Sequence, residues 1–416
     1  MKKTLLLILL ATALLYSCGR KPELLPGPWL GVIRIDSADR SLDVPFNMML
    51  SRTPDGQWMI EVLNAEENIL INEVVVREDS LFFRFPFFSS EIACRITGDS
   101  LLGSYYPKGR EKGTAYMFLA KQGTTDRFPS FSGTPARDVT GRWKILENPG
   151  SPDSSVMVGE FVQENGRVTG TVLSTTGDYR SLEGKVAGNK FMVSAVDGAH
   201  TILFMGDLAP DGSMSGRFIG SPAWRSTWKA VKNSTITLPK GEELVRLKKD
   251  APAFTFTFPD INGRAVSLED TVFKGKVIIV DAMGSWCPNC LDQALFLNEL
   301  YERYKTQGLE VISLCFEDET FESSRPKMHR FVSQTGVGYT FLYAGPRGQE
   351  SIRKVMYVAE GMLAYPTTLF IDRSGKARKV ETGFSGPWTG IHYNDMVRET
   401  TLFVEKLLKE EPPRPE

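Results

Sequence analysis

The sequence predicts a multidomain protein in which a C-terminal α/β domain follows an all-β region. Residues 29–232 consist of short alternating runs of apolar and polar residues between Gly, Asp and Asn turns, which is the pattern of strands joined by hairpins. From residue 251 onward, continuous apolar runs alternate with segments of helical periodicity. A chain of 416 residues that is 42% hydrophobic and 24% charged is long enough to form two or three cores.

The charges of the chain are balanced, with 49 Lys and Arg against 50 Asp and Glu and a formal net charge of −1. Such a chain has no overall field that attracts nucleic acid or an anionic surface. We therefore expect no nucleic-acid partner, and any partner must be recognised by a local surface.

The first residues predict a signal peptide at 1–17. Lys2 and Lys3 precede an apolar run over 4–16, which is shorter than the roughly 20 residues of a membrane-spanning helix. The run ends in Leu-Tyr-Ser-Cys18-Gly, which resembles the lipobox of bacterial lipoproteins, where the signal is cut before a cysteine that becomes lipidated. An ordinary secretory signal with an incidental cysteine is the alternative.

A lipid on Cys18 would hold the protein to a membrane through its acyl chains while the rest of the chain stays in water. Residues 18–28 would then form a tether. The sequence thus predicts a membrane-anchored lipoprotein of a bacterial cell envelope, facing the periplasm.

The all-β region shows a weak internal repeat. Trp29 and Trp143 stand in similar local sequences, and Gly103 and Gly216 each precede an aromatic-containing run. The repeat predicts two similar β-meander units, at 29–130 and 138–232, each a small sheet or a half barrel.

A connector is expected at 233–250, and the α/β domain at 251–409. The predicted elements of that domain are a buried strand at 276–281, a helix at 290–305, a second buried strand at 309–316, helices at 327–334 and 350–358, a hairpin of 367–372 with 377–382, and a helix at 394–409. A tail at 410–416 is expected to be disordered.

The motif Trp286-Cys287-Pro-Asn-Cys290 falls where the first buried strand passes into the first helix. A zinc site would need two further Cys or His ligands at matching spacing, and the three histidines are isolated. Covalent haem would need His directly after the second cysteine, where Leu291 stands. The sequence thus predicts no metal and no cofactor, and a redox pair or a static disulfide remains.

A helix N-terminus stabilises a thiolate through its free N–H groups and dipole, which predicts Cys287 as the nucleophile. Cys290 lies one turn further along the helix and would resolve the mixed disulfide that forms at Cys287. Cys94 and Cys315 lie in strand-like apolar surroundings and are expected to be core residues.

Residues 251–409 resemble the thioredoxin superfamily, and in particular the TlpA/ResA-like reductases tethered to bacterial membranes. The resemblance is carried by the Trp-Cys-x-x-Cys motif, by Tyr365-Pro366-Thr-Thr before a strand, and by Gly-Phe-Ser-Gly at 383–386. It implies a cis Tyr365–Pro366 bond beside the disulfide, with the Tyr365 backbone and Trp286 in contact with substrate. A trans proline that opens a strand is the alternative.

Asp281 stands six residues before the first cysteine, where the resemblance implies a buried acid. Desolvation would raise the pKa of that carboxyl and let it accept the proton of Cys290; a solvated acid at a strand end is the alternative. Many related reductases carry Glu where this chain has Gln293, so the role of that acid would pass to Asp281 or Glu317.

These features predict an envelope thiol–disulfide oxidoreductase that reduces protein disulfides. The dipeptide between the cysteines lacks the His of strongly oxidising relatives, and an integral-membrane thiol donor would supply the electrons. A thiol peroxidase is disfavoured, because Gly284 stands where that class carries Thr.

The other alternative is a ligand- or partner-binding lipoprotein with an accessory redox domain. Its cleft would be lined by the tryptophans of the β-rich region, Trp29, Trp58, Trp143, Trp224 and Trp228. Core packing is the competing interpretation of those tryptophans, and we expect residues 25–235 to dock client proteins.

Overall fold

A computed structural model describes residues 23–107, 113, 115–221 and 224–411. The predicted signal peptide and Cys18 lie outside the described residues, as does most of the predicted tail. No helix in the described part of the chain has both the length and the apolar character needed to cross a bilayer.

The first sheet contains nine antiparallel strands within the described residues. They are β1 (Gly27–Arg34), β2 (Asp43–Arg52), β3 (Trp58–Asn64), β4 (Glu67–Ile71), β5 (Val74–Arg77), β6 (Ser80–Arg84), β7 (Glu91–Thr97), β8 (Ser100–Tyr106) and β9 (Tyr116–Gln122). Their order is β4-β3-β2-β1-β9-β8-β7-β6-β5. The last strand therefore returns to pair with the first, and the sheet is open between β4 and β5.

The second sheet follows the same path along the chain. Its strands are β10 (Gly141–Glu147), β11 (Ser155–Glu164), β12 (Arg167–Ser174), β13 (Gly177–Asp178), β14 (Leu182–Ala187), β15 (Lys190–Val196), β16 (Thr201–Leu208), β17 (Met214–Ser221) and β18 (Trp224–Lys232). Again the last strand pairs with the first, and an additional pairing of β11 with β12 closes the sheet on itself. The second unit is thus a closed sheet, whereas the sequence suggested a small sheet or a half barrel.

Trp29 and Trp143 occupy equivalent places in the two sheets. Each is the third residue of the first strand and is buried in the core of its own sheet. Each indole N–H donates to the carbonyl oxygen four residues earlier, at 3.0 Å to Leu25 and 2.8 Å to Val139. This shared geometry supports the duplication that the sequence suggested.

Gly103 and Gly216 form the second matching pair, each in the strand before the last of its sheet. A Cβ atom would lie 2.1 Å from the Ala93 carbonyl oxygen at the first position and 1.9 Å from that of Met205 at the second. Only glycine allows the neighbouring strand to approach so closely.

The C-terminal domain begins within the predicted connector. Its elements are α1 (Gly241–Leu244), β19 (Val245–Leu247), β20 (Thr257–Pro259), β21 (Ala265–Ser267), β22 (Val277–Met283), α2 (Pro288–Tyr304), β23 (Leu309–Glu317), α3 (Phe321–Thr335), β24 (Thr340–Pro346), α4 (Gln349–Val355), β25 (Ala359–Gly361), β26 (Thr367–Ile371), β27 (Ala377–Thr382) and α5 (Ile391–Leu408). Strand β19 pairs with β25, so the second half of the connector belongs structurally to this domain.

The central sheet of this domain has the order β24-β23-β22-β26-β27, in which β22, β23 and β24 are parallel and the last two strands are antiparallel. Every residue of β22 is buried. Val277 and Ile279 face the core that includes helix α2, while Ile278 and Val280 face the core that includes α4. A strand that is covered on both faces has a continuous run of apolar residues, which is why the sequence predicts this strand.

Helix α3 begins six residues earlier than the sequence predicted. Thr320 caps it by accepting a hydrogen bond from the Ser323 backbone N–H at 3.2 Å, so that Pro326 lies inside the helix instead of before it. A proline near the start of a helix costs one backbone hydrogen bond, and the cap supports the first turn. The predicted order of an all-β region before an α/β domain is confirmed.

Candidate active site

The site is built where β22 passes into helix α2. Cys287 is the N-cap of the helix, Pro288 is its first residue, and Cys287 and Cys290 form a disulfide bond. The backbone N–H of Cys290 donates to the Cys287 sulfur at 3.2 Å. Cys290 is fully buried and Cys287 is 6% exposed, so of the two only Cys287 reaches the surface.

The start of α2 favours negative charge at Cys287. The first turn of the helix contains no acidic residue. The free N–H groups there and the positive end of the helix dipole lower the free energy of a thiolate at the N-cap. When the disulfide is reduced, this environment can activate Cys287 as a nucleophile.

The Tyr365–Pro366 bond is cis and lies beside the disulfide. The Tyr365 carbonyl oxygen is 3.7 Å from the Cys287 sulfur. The ring of Trp286 meets that of Tyr365 edge to face with 5.3 Å between centroids, and the Trp286 indole donates to the Phe316 carbonyl at 2.8 Å. The structure thus brings Trp286, Cys287, Tyr365 and Pro366 together.

Asp281 is fully buried on β22 behind the helix. Its carboxylate accepts hydrogen bonds from the Gln293 amide at 2.7 Å and from the Ser313 hydroxyl at 3.3 Å. Desolvation raises the pKa of Asp281 to about 7, and the two hydrogen bonds only partly oppose it. A carboxyl with this pKa can take up and release a proton near neutral pH.

Glu317 is a second buried acid near the motif. It accepts hydrogen bonds from the backbone N–H of Ser285 at 2.6 Å and from the Ser285 hydroxyl at 2.9 Å. Burial raises the pKa of Glu317 to about 7 as well. Glu317 is therefore attached to the loop that carries the first cysteine, whereas Asp281 contacts helix α2 and strand β23.

The β-rich region contributes residues to the site that sequence reasoning missed. Arg180, just after β13, donates to Asp292 on helix α2 at 2.5 Å and to Glu67 on β4 at 3.0 Å. Asp178 accepts from the Gly386 backbone N–H at 2.7 Å. These residues lie in different domains, so no local sequence pattern could have paired them.

Burial governs the titration of this charge cluster. Desolvation raises the pKa of Asp292 to about 7, against the attraction of Arg180. It raises the pKa of Glu67 and Asp178 as well. The pKa of Arg180 is raised well above its usual value, since the attraction of the surrounding carboxylates exceeds the desolvation that would lower it. One guanidinium therefore faces several carboxyl groups that titrate at higher pH than usual.

The turn between β12 and β13 lies directly on the motif. A Cβ atom on Gly177 would be 2.0 Å from the side-chain nitrogen of Asn289, between the two cysteines. A Cβ atom on Gly383 would be 2.9 Å from the Cα atom of Thr176. The two backbones meet at glycines, and this turn packs on Asn289 between the two cysteines.

The other predicted candidates lie apart from the site. Cys94 and Cys315 are buried, and burial raises the pKa of the Cys94 thiol to about 12. Trp29, Trp143 and Trp228 are at most 2% exposed and pack in sheet cores, which disfavours a shared ligand cleft. Within the described residues, no group of three or more His, Cys, Asp and Glu side chains is arranged to hold a metal ion.

Comparisons with known proteins match this domain. The Redoxin family model covers residues 247–390. The chain is 35% identical over 135 residues to thiol-disulfide oxidoreductase ResA of Bacillus thuringiensis subsp. konkukian, covering 32% of this chain and 69% of that protein. It is 29% identical over 143 residues to ResA of Bacillus subtilis strain 168, covering 34% and 71%.

Similar solved structures match the same part of the chain. A thiol:disulfide interchange protein of the thioredoxin family from Chlorobium tepidum is 19% identical with a TM-score of 0.30, covering 39% of this chain and 97% of that one. A thiol-disulfide oxidoreductase from Bacteroides fragilis is 15% identical with a TM-score of 0.28, covering 36% and 98%.

Proposed function

The chain belongs to the ResA-like thiol-disulfide oxidoreductases of the thioredoxin superfamily, and we propose that it reduces disulfide bonds in other proteins. The observation that carries this proposal is the Cys287–Cys290 disulfide at the start of helix α2, with Cys287 at the surface and Cys290 beneath it.

The reaction starts from the dithiol form of the protein. The Cys287 thiolate attacks one sulfur of a client disulfide, forms a mixed disulfide and releases the other client sulfur as a thiolate. The Cys290 thiolate then attacks Cys287, which frees the second client thiolate and forms the Cys287–Cys290 disulfide. Two electrons pass to the client, and its two thiolates take up two protons.

Asp281 is proposed to accept the proton of Cys290 during the second step. Its raised pKa supports this role, because a carboxyl with a pKa of about 7 is partly deprotonated at neutral pH and still basic enough to accept a proton. Resolution of a mixed disulfide on Cys287 should slow in Asp281→Asn, and the slowing should be greatest near neutral pH. An unchanged rate across that range would exclude the role.

Reduction is proposed over oxidation because the Pro288-Asn289 dipeptide lacks a His that would strongly stabilise the Cys287 thiolate. Each turnover leaves a Cys287–Cys290 disulfide, which must receive two electrons and two protons before the next cycle. An integral-membrane thiol carrier is the proposed donor, since the protein is proposed to act outside the cytoplasm.

The envelope location rests on the sequence at Cys18, which lies outside the described residues. A lipid there would anchor the protein to a membrane that faces the periplasm. Replacing Cys18 by Ala should move the protein from the membrane fraction to the soluble fraction. Retention in the membrane fraction would argue against the anchor.

The decisive experiment traps the intermediate. In Cys290→Ser the second step is blocked, so client proteins should accumulate as mixed disulfides on Cys287 and be released by dithiothreitol. Cys287→Ser is the matched control and should trap none. If Cys290→Ser traps nothing and the reduced wild-type protein does not reduce insulin, the proposed function is wrong.

A thiol peroxidase of the same fold would need Thr three residues before its reactive cysteine. Gly284 holds that place, and a Cβ atom there would be 2.3 Å from the Trp286 indole nitrogen. The loop therefore has no room for Thr, which disfavours peroxidase chemistry. Peroxide consumption by the dithiol protein should be no faster than that by free thiols.

A further inference from the structure

We propose that a groove between the first β-sheet and the C-terminal domain binds the client segment that flanks the target disulfide. The groove fits an extended polypeptide carrying an apolar and an acidic side chain close to its cysteine. This inference rests on the proposed reductase function and adds to it a substrate preference set by the β-rich region.

The client groove has a volume of about 1000 Å³ and ends at the active-site motif. Its walls combine strands β5 to β7 of the first sheet with Ser285, Trp286, Lys327, Arg330 and Arg347 of the C-terminal domain. A volume at the upper end of the range for ligand sites has room for several side chains. Trp286 directly precedes Cys287, so a segment in the groove lies next to the reactive sulfur.

The apolar wall comes from the turn at residues 85–90, between β6 and β7. Phe87 and Phe88 line the groove, and Val75 on β5 is 44% exposed beside them. Phe87 has a φ of +64° and Ser89 a φ of +59°. A positive φ is rare for a bulky residue and persists only where the surrounding structure imposes it, which is common at ligand-binding positions.

Contacts from the other two parts of the molecule impose this geometry. The Phe87 backbone N–H donates to the Gln334 side chain on α3 at 2.8 Å. The Ser90 hydroxyl donates to the Gly198 carbonyl in the second β unit. A Cβ atom on Gly198 would be 2.6 Å from that of Phe85. The aromatic turn is therefore fixed in place before any client arrives, which lowers the entropic cost of binding.

Positive charge is in excess along the groove. The three acids that line it are matched by cations: Glu73 by Arg330, Glu91 by Arg84, and Asp318 by Lys327. Arg347 is the fourth cation, and no carboxylate in the described part of the chain pairs with it. It is exposed and lies over the Trp286 ring, 5.9 Å from the ring centre.

A second polar group in the groove lacks an acceptor. The Nε atom of Arg330 is buried without a hydrogen-bond partner among the described residues. A buried donor without an acceptor is costly, and the Arg330 side chain must shift before a client carbonyl could reach this atom. Arg347 therefore supplies the charge that favours an acidic client over a basic one.

The position of the second β unit favours approach of a client from the side of the client groove. The turn at residues 174–178 occupies the opposite side, where Gly177 meets Asn289 and Asp178 binds Gly386. We infer that a client reaches Cys287 past Trp286, through the groove.

The test compares two peptides that differ only beside their cysteines. Both contain one intramolecular disulfide and one Phe near the first cysteine, and they carry either two Asp or two Lys next to it. The fully reduced full-length protein is mixed with each peptide, and the rate is followed by stopped-flow tryptophan fluorescence. Each rate is divided by the rate at which the same variant reduces 2-hydroxyethyl disulfide. This small disulfide does not need the groove, so its rate measures the reactivity of the two cysteines alone.

The wild-type protein should reduce the Asp peptide at least about tenfold faster than the Lys peptide, as expected for one charge-assisted hydrogen bond. In Arg347→Glu that preference should disappear or reverse. Arg303→Glu is the matched control, because Arg303 is also exposed and lies 5.9 Å over an aromatic ring, at Tyr304, away from the groove. It should keep the preference.

A second variant, Phe88→Ala, probes the apolar wall. It should lower the normalised rate of reduction of both peptides and leave the ratio of the Asp-peptide rate to the Lys-peptide rate unchanged. Equal normalised rates for both peptides in wild type and Arg347→Glu would overturn the groove proposal while the reductase function stands. Failure to reduce any of the three disulfides would instead contradict the reductase function.

Discussion

Arg180 and Asp292 form a buried ion pair, with 2.5 Å between Nη1 and Oδ2, that joins the second β-sheet to the active-site helix. Asp292 stands two residues after Cys290 in that helix. The same guanidinium binds Glu67 of the first sheet and lies 3.9 Å from Asp197. A single side chain thus connects three parts of the molecule beside the disulfide.

Removing this cation should destabilise the whole assembly. Arg180→Ala leaves Glu67 and Asp292 buried without a counter-charge, and breaking a buried pair in this way costs about 3–5 kcal/mol. Urea unfolding should report that loss. Arg246→Ala is the control, because its pair with Glu360 is exposed and should contribute no more than about 1 kcal/mol. Equal losses in the two variants would contradict the prediction.

The turn at residues 174–178 should limit access to Cys287. Gly177→Val places side-chain atoms where Asn289 stands, so the turn must move away from the motif. Reduction of the Cys287–Cys290 disulfide by a water-soluble phosphine should become about tenfold faster, a change of roughly 1.4 kcal/mol in the barrier.

Gly123→Ala is the matched control for that variant. Gly123 has a positive φ, which Gly177 does not, and no atom outside its chain neighbours lies within 4 Å of an added Cβ. The control therefore introduces backbone strain without moving the turn, and its rate of reduction should equal that of the wild-type protein. A Gly177→Val rate equal to that of Gly123→Ala would show that the turn does not shield the site.

Stability should fall as pH rises because of Asp281. Its pKa is about 7 in the folded state against an ordinary 3.8, so the folded protein holds the proton more tightly. The free energy of unfolding should decrease between about pH 4 and pH 7 and level off above, by up to about 4 kcal/mol at about 1.4 kcal/mol for each pKa unit. Urea titrations across this range measure it.

Asp281→Asn should remove the share of that decrease that belongs to Asp281 and leave the shares of Glu317 and Asp292, whose pKa values are also about 7. The variant should be more stable than the wild-type protein above pH 7. Asp211→Asn is the control, since Asp211 is exposed and hydrogen bonds from Ser213 lower its pKa. The control should retain the decrease between pH 4 and pH 7. A wild-type slope in Asp281→Asn would show that Asp281 does not contribute to the pH dependence.

Gln293→Glu should shift the pH dependence of resolution. The Gln293 amide nitrogen is 2.7 Å from Asp281, so a carboxyl there would share a proton with Asp281 and raise its pKa further. The apparent pKa for resolving a mixed disulfide on Cys287 should rise by at least about one unit. Gln293→Met removes the amide donor without adding charge and should give a smaller rise. Identical profiles for the two variants would exclude the coupling.

The sequence predicted the elements whose pattern is local and regular. Strand β22 was visible because both of its faces are buried, which makes every residue apolar until Asp281. The start of helix α3 was misplaced because Pro326 suggested a boundary, whereas the cap at Thr320 determines it. The closure of the second sheet depends on β11 pairing with both β10 and β12, and no local periodicity encodes that.

The sequence by itself predicted the Cys287–Cys290 pair, because the spacing of the two cysteines at a strand–helix junction places the first sulfur at the positive end of the helix dipole. Only the tertiary structure decided what surrounds that pair. Arg180 reaches Asp292 across 112 residues of chain, and the turn at 85–90 reaches helix α3 across 247. Such contacts arise from the packing of separate domains. They are stabilised by surfaces that the domains bury against one another, and no continuous segment of the sequence encodes those surfaces.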